Sequence, residues 1–184
     1  RDNANLTLNH ATCVIGLKNN LPQPPVLSKA AFMDLKPSKI SVKKAYEDIL
    51  FHGKELQCIR SINGISAKGI EVVTTLAPKP GQWFKHPHSK NWVIDPMMLD
   101  AAFQAAILWS YEIKNQVCLP SFLANLRLYA SYKKIKGNLR ILFTVNEETL
   151  HKIKGYFTFL DETGTVLASI TGFEAIMDPS LQSK

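Results

Sequence analysis

The run Asp95-Pro96-Met97-Met98-Leu99-Asp100-Ala101-Ala102-Phe103-Gln104-Ala105-Ala106-Ile107-Leu108-Trp109 constrains this chain more than any other. Asp before Pro is a helix start: the carboxylate accepts from unpaired backbone donors, and Pro lacks only an N–H that the first helical position does not need. From Met97 to Tyr111 every residue is apolar or small except Asp100, Gln104 and Ser110. A helix apolar on all sides is a buried helix. Whatever surrounds it must cover most of its circumference. Asp100 and Gln104 stand one turn apart and share a face. A lone carboxylate in such a helix needs partners or a raised pKa. It is either a structural acid or a proton carrier.

With 184 residues, 46% of them hydrophobic and 20% charged, the composition is that of a soluble globular chain of one domain or two small units. No run reaches the roughly 18 apolar residues of a membrane span, and the first residues carry no secretory signal. The chain lacks an initiator Met and is expected to be a piece of something longer. The charge of +7 favours an acidic partner. The basic residues are dispersed, apart from Lys43-Lys44 and Lys133-Lys134 with Lys136, and no nucleic-acid-binding motif accompanies them. Cys13, Cys58 and Cys118 are odd in number and far apart, which points away from a disulfide framework and towards a reducing cytoplasm. His86-Pro87-His88 is the one close His pair, but it lacks further ligands at workable spacing, so no metal is expected.

Along the chain, Asn5 to Leu17 reads as one strand, and the prolines Pro22, Pro24 and Pro25 then mark an extended tether. Ser41 can cap a helix running to Phe51, with Gly53 as its left-handed terminator. Strands are expected over Glu55 to Ile65 and Gly69 to Leu76, and Pro78 to His88 reads as a loop. After the buried helix come strand-like runs at Val117 to Tyr129 (broken at Pro120), Asn138 to Val145, Lys152 to Leu160 and Thr165 to Met177. The last two are joined by a turn at Asp161-Glu162-Thr163-Gly164. One long apolar helix with five or six antiparallel strands gives an α+β class. A twisted, curved sheet wrapped around the helix satisfies its burial, which is the hot-dog fold.

Leu50-Phe51-His52-Gly53-Lys54-Glu55-Leu56-Gln57-Cys58-Ile59, followed by the Asp-x-x-x-Gln helix, by Leu119-Pro120-Ser121 and by Ile170-Thr171-Gly172-Phe173-Glu174, resembles the dehydratase domain of polyketide synthases. Leu-Phe-His-Gly and the approach from Trp92 to Asp95 look most like the versions in polyunsaturated fatty acid synthases and enediyne synthases, and the Lys- and Asn-rich composition favours the bacterial polyunsaturated fatty acid synthase among these. The resemblance covers residues from about 40 to 178. It implies a double hot-dog fold and removal of water from a 3-hydroxyacyl chain on an acyl carrier protein, giving a trans-2-enoyl chain. It also implies a His base in the first hot dog and an acid Asp in the second. By motif position Asp100 matches that Asp and Gln104 the residue that orients it. No cofactor is implied beyond the phosphopantetheine that carries the substrate.

The sequence departs from the family pattern at several points. The His-x-x-x-Gly-x-x-x-x-Pro motif of the first hot dog is missing, and His10 lies in what resembles that unit's last strand. Lys54-Glu55 stands where Pro and a small residue are common, and Asp95 where a His often precedes the Pro. His52 stands where another residue often precedes the Gly and reads as structural. The expected organisation is therefore residues 1–18 as the last strand of a preceding unit, 19–40 as linker, 41–178 as the C-terminal hot-dog unit and 179–184 as tail. The partners implied are an acyl carrier protein, the preceding hot-dog half, other megasynthase domains and a second copy as a homodimer, with neither nucleic acid nor membrane. The alternative function is a non-catalytic, dehydratase-like module that holds acyl chains or organises the synthase. Met97, Phe103, Leu119 and Phe122 are candidates to line an acyl tunnel, though each fits a plain core role. Arg127, Lys133, Lys134, Lys136 and Arg140 are candidates to dock an acidic carrier protein.

Overall fold

The computed structural model describes residues 11–27, 34–131, 135, 137–178 and 180. Helix α3, Pro96–Lys114, begins where the sequence places it. Asp95 caps it, its Oδ1 accepting from the Met98 N–H at 2.8 Å. The helix runs three residues past Tyr111 and ends on Asn115, whose left-handed backbone (φ 54°) lets its N–H donate back to Ser110 and Tyr111. No residue of α3 is fully exposed.

Around it lie seven strands: β1 (Ile59–Ser66), β2 (Gly69–Thr74), β3 (Cys118–Phe122), β4 (Asn125–Leu128), β5 (Leu139–Glu148), β6 (Lys152–Leu160) and β7 (Val166–Met177). They form one antiparallel sheet in the order β1-β2-β5-β6-β7-β3, with β4 also paired to β7. The opposite edge strands β1 and β3 both touch α3, as do β2 and β5. A sheet whose two edges meet one helix has to curl around it. The side chains that fill the space between them include Trp109, Phe143, Phe157 and Phe173, all fully buried and in ring contact.

Several boundaries differ from expectation. Pro120 does not break the strand. It pairs with Ala175 on the sheet edge, where a missing N–H is tolerated. The break falls at Ala124, which packs against Gly172. There φ is +62°, and a Cβ would lie 2.6 Å from that of Ala124. The expected helix from Ser41 is a single α-helical turn, α1 (Val42–Lys44), capped by Ser41 and passing into a π-helical turn, Ala45–Ile49. Gly53 is not its left-handed terminator. Its φ is −64°, and it leads into a 3-10 turn, Lys54–Leu56, so that strand β1 starts only at Ile59. The Pro78 to His88 loop contains a short helix, α2 (Pro80–Trp83), closed by Gln82 accepting from the Lys79 N–H.

Of the strand expected over Asn5 to Leu17, residues 5–10 lie outside the described residues, and 11–17 form no strand and are exposed. The end of the expected linker is docked. Lys36 exchanges backbone hydrogen bonds with Ile65, Ser38 and the Lys39 N–H bond Glu112 of α3, and Ile40 is buried.

Candidate active site

Burial along α3 is uneven. Pro96, Leu99, Asp100 and Phe103 are only partly buried, while the residues between them are sealed. These positions are spaced as one stripe of a helix. Apart from the last turn, residues 111–114, which is also only partly buried, the curled sheet leaves this strip of α3 open, and Asp100 stands on it with 27% of its side chain exposed.

Asp100 is held from two sides. Its Oδ2 accepts from Gln104 Nε2 at 2.6 Å, the one-turn contact expected from the spacing. Its Oδ1 lies 3.6 Å from His52 Nε2. The imidazole of His52 is 6% exposed and stacks on Phe51 with ring centroids 4.5 Å apart. Its Nδ1 is buried and has no hydrogen-bond partner. A ring hydrogen there would be an unmet donor, whereas on Nε2 it points at the carboxylate. His52, expected to be structural, therefore belongs to the site. The irregular backbone after the π-helical turn brings it there, and periodicity does not reveal such a path.

Gln104 is fully buried and fully bonded. Nε2 also donates to the Leu56 carbonyl at 2.8 Å, and Oε1 accepts from the Tyr46 hydroxyl at 2.7 Å. Tyr46 in turn accepts from the Ile59 N–H at 2.9 Å. Burial pushes the Tyr46 phenol above its ordinary value, so it remains a donor. The Cys58 thiol, also pushed up by burial, sits 3.7 Å from Gln104 Nε2 and from the Met97 carbonyl. Tyr46 lies inside the helix expected from Ser41 to Phe51, with apolar neighbours Ala45 and Ile49. The available signal was its hydroxyl, which needs a partner when buried. Nothing in the sequence marks Cys58.

The four tunnel candidates differ in burial. Met97 is buried in the core. Phe103 is half-open on the Asp100 stripe and stacks on Phe173, with centroids 5.9 Å apart. Leu119 and Phe122 stand exposed on edge strand β3. Surface hollows of about 280 and 470 Å³ lie elsewhere, one beside Lys114 and Leu150, the other between Pro24 and Arg140. Of the docking candidates, Arg127 is exposed on β4, while Lys133, Lys134 and Lys136 lie outside the described residues. Arg140 is half-buried, its Nε donating at 2.9 Å to the buried Glu71. It ties β5 to β2 and is not a free surface cation. No group of three or more His, Cys, Asp or Glu among the described residues could hold a metal ion, and His86-Pro87-His88 is exposed loop.

The model of the family described as polyketide synthase dehydratase N-terminal domain matches residues 29–180. The chain belongs to the polyketide synthase dehydratase family. Solved structures agree on the fold. The dehydratase domain from the CurF module of curacin polyketide synthase superposes with a TM-score of 0.64 at 16% identity, over 88% of this chain and 56% of that one. That of a mycocerosic acid synthase-like polyketide synthase gives 0.64 at 20%, over 84% and 54%. A trans-AT polyketide synthase dehydratase domain from Brevibacillus brevis gives 0.63 at 21%, over 86% and 55%. This dehydratase-family chain therefore has the hot-dog fold, in the α+β class, and spans a little over half the length of these solved domains. No curated protein matches it. Among the described residues, no helix is long and apolar enough to cross a membrane.

Proposed function

We propose that this chain is the acid-bearing, C-terminal hot-dog half of a dehydratase. It acts on 3-hydroxyacyl chains carried by the phosphopantetheine of an acyl carrier protein, within a bacterial polyunsaturated fatty acid synthase or a related polyketide synthase. The observation that carries the reading is the open stripe of α3. Asp100 is a carboxyl on that stripe, partly accessible and aimed by Gln104, whereas Glu112 in the last turn of α3 is bonded to Ser38 and the Lys39 N–H. A preceding hot-dog half would cover the stripe, close the acyl site over Phe103 and bring a His as base.

The chemistry balances across those two groups. The imidazole base takes the α-proton, and the C–H electron pair becomes the new carbon–carbon double bond. The β-carbon–oxygen bond breaks with its pair staying on oxygen. Asp100, protonated beforehand, gives its proton to that oxygen, so that water leaves and a carboxylate remains. Gln104 fixes the carboxyl rotamer so that the proton-bearing oxygen meets the substrate. No cofactor takes part. The acyl carrier protein, the preceding half and the neighbouring synthase domains are the partners of this reading. Exposed Arg127 is the described candidate to meet an acidic carrier.

The test is dehydration of a 3-hydroxyacyl carrier protein by the full-length protein that contains both halves, read as loss of water by intact mass. The wild type should form the enoyl chain. Asp100→Asn, which keeps size and hydrogen bonding, should slow it by at least about 100-fold, as for loss of a general acid, with unchanged melting. If the wild type binds the acyl chain but never dehydrates it, the non-catalytic module replaces the enzyme.

A further inference from the structure

Gln104 can orient Asp100 only if its own amide is oriented. Turned by 180°, the amide would set Oε1 against the Leu56 carbonyl and Asp100 Oδ2, two acceptors, and lose both of its donor contacts. Tyr46 helps to decide between the two states. Its hydroxyl already accepts the Ile59 N–H at 2.9 Å, so its single hydrogen is left to donate to Gln104 Oε1 at 2.7 Å. Every hydrogen-bonding group in this line is then satisfied: Ile59 N–H to Tyr46, Tyr46 to Gln104, and Gln104 to both Leu56 and Asp100. Buried networks of this kind rigidify when complete and fail when one member is lost. Tyr46 lies on the π-helical turn Ala45–Ile49, a local irregularity that is often found where a side chain serves a site.

We propose that Tyr46 is a positioning residue of this site: its hydroxyl fixes which end of the Gln104 amide faces Asp100, and so aims the carboxyl. The proposal rests on the reading of Asp100 as the general acid. It makes the site a product of three separate pieces of chain, the π-helical turn, the 3-10 turn and α3.

The test uses the full-length protein and a 3-hydroxyacyl pantetheine, comparing wild type, Tyr46→Phe, Gln104→Leu and the double variant. A merely structural role would move the melting temperature and leave kcat per folded molecule unchanged. The expectation is a fall in kcat of about tenfold for Tyr46→Phe, the scale of one lost hydrogen bond, with KM within about twofold. It should add nothing further in the Gln104→Leu background, because both changes break one line. A full kcat in Tyr46→Phe, or losses that multiply in the double variant, would overturn the proposal. A second readout needs neither activity nor a variant. In wild-type protein labelled on glutamine, the side-chain amide protons of Gln104 should exchange slowly. Exchange at the rate of an exposed glutamine would sink the inference, whereas slow exchange in a wild type without activity would remove the dehydratase reading and leave the Tyr46–Gln104 link standing.

Discussion

Asp95 and Asp100 are five residues apart and have opposite tasks. Asp95 is sealed. It ties the start of α3 to the preceding segment by accepting from the Met98 N–H through Oδ1 and the Ala77 N–H through Oδ2, both at 2.8 Å. Burial pushes its carboxyl above the ordinary 3.8, against the lowering effect of these backbone donors. The sign follows from linkage: with the folded-state pKa raised, the stabilisation is complete below the ordinary value and declines as pH rises through the raised one. Asp95→Ser keeps a cap for α3 but gives up the Ala77 bond and the titration. It should cost about 1 kcal/mol. The gap between wild type and variant in urea unfolding should narrow as pH is raised from about 4 towards 7; a gap that widens over that range would contradict the burial argument. Asp100 could be singled out from sequence because it interrupts an apolar helix, but nothing in that interruption separates it from a structural acid. The half-open stripe and the facing His52 are the observations on which the proposed acid role rests.

At the scale of elements, the β5–β6 ladder has no room for a larger residue at Gly155. Gly155 pairs with Val145, and a Cβ there would meet the Thr144 carbonyl at 2.2 Å and the Phe143 ring at 2.8 Å. Phe143 stacks on Phe157, so the ring cannot move freely. Gly155→Ala is expected to destabilise the protein by about 3 kcal/mol through forced separation of the strands. Urea unfolding measures it, and a change below about 0.5 kcal/mol would mean that the ladder relaxes without strain. Strands β5 and β6 were legible from their alternation, and β2 and β7 from their β-branched and apolar runs bounded by turn residues. The first helix was misread because its apolar spacing is that of an α-helix, while the chain widens into a π-helical turn and reaches Gly53 with φ at −64°. Periodicity senses which residues face inward, and it does not sense one extra residue in a turn.

Across the whole molecule, charge is unevenly available despite the net +7. Arg140 is committed to buried Glu71, which also accepts from Asn63, so reversing it would set two carboxylates together inside the sheet. Arg127 is exposed on β4, opposite Ser169 of β7 in the ladder. Arg127→Glu in the full-length protein should therefore lower the association rate of an acidic carrier protein several-fold at low salt, with the difference vanishing near 1 M salt as screening becomes short-ranged. Stopped-flow association checks it, and equal rates at low salt would remove Arg127 from the docking surface.

The sequence alone determined that a buried helix starts at Asp95-Pro96, that a curved antiparallel sheet must surround it, and that Asp100 and Gln104 share a face of it. Each of these follows from local periodicity and from the cost of exposing apolar or burying polar groups. Only the tertiary structure decided that the sheet leaves one stripe open, that His52 and Tyr46 reach Asp100 and Gln104, and that Arg140 belongs to the interior. Those facts depend on chain segments distant in sequence, where irregular turns set the direction of a side chain and no residue spacing records it.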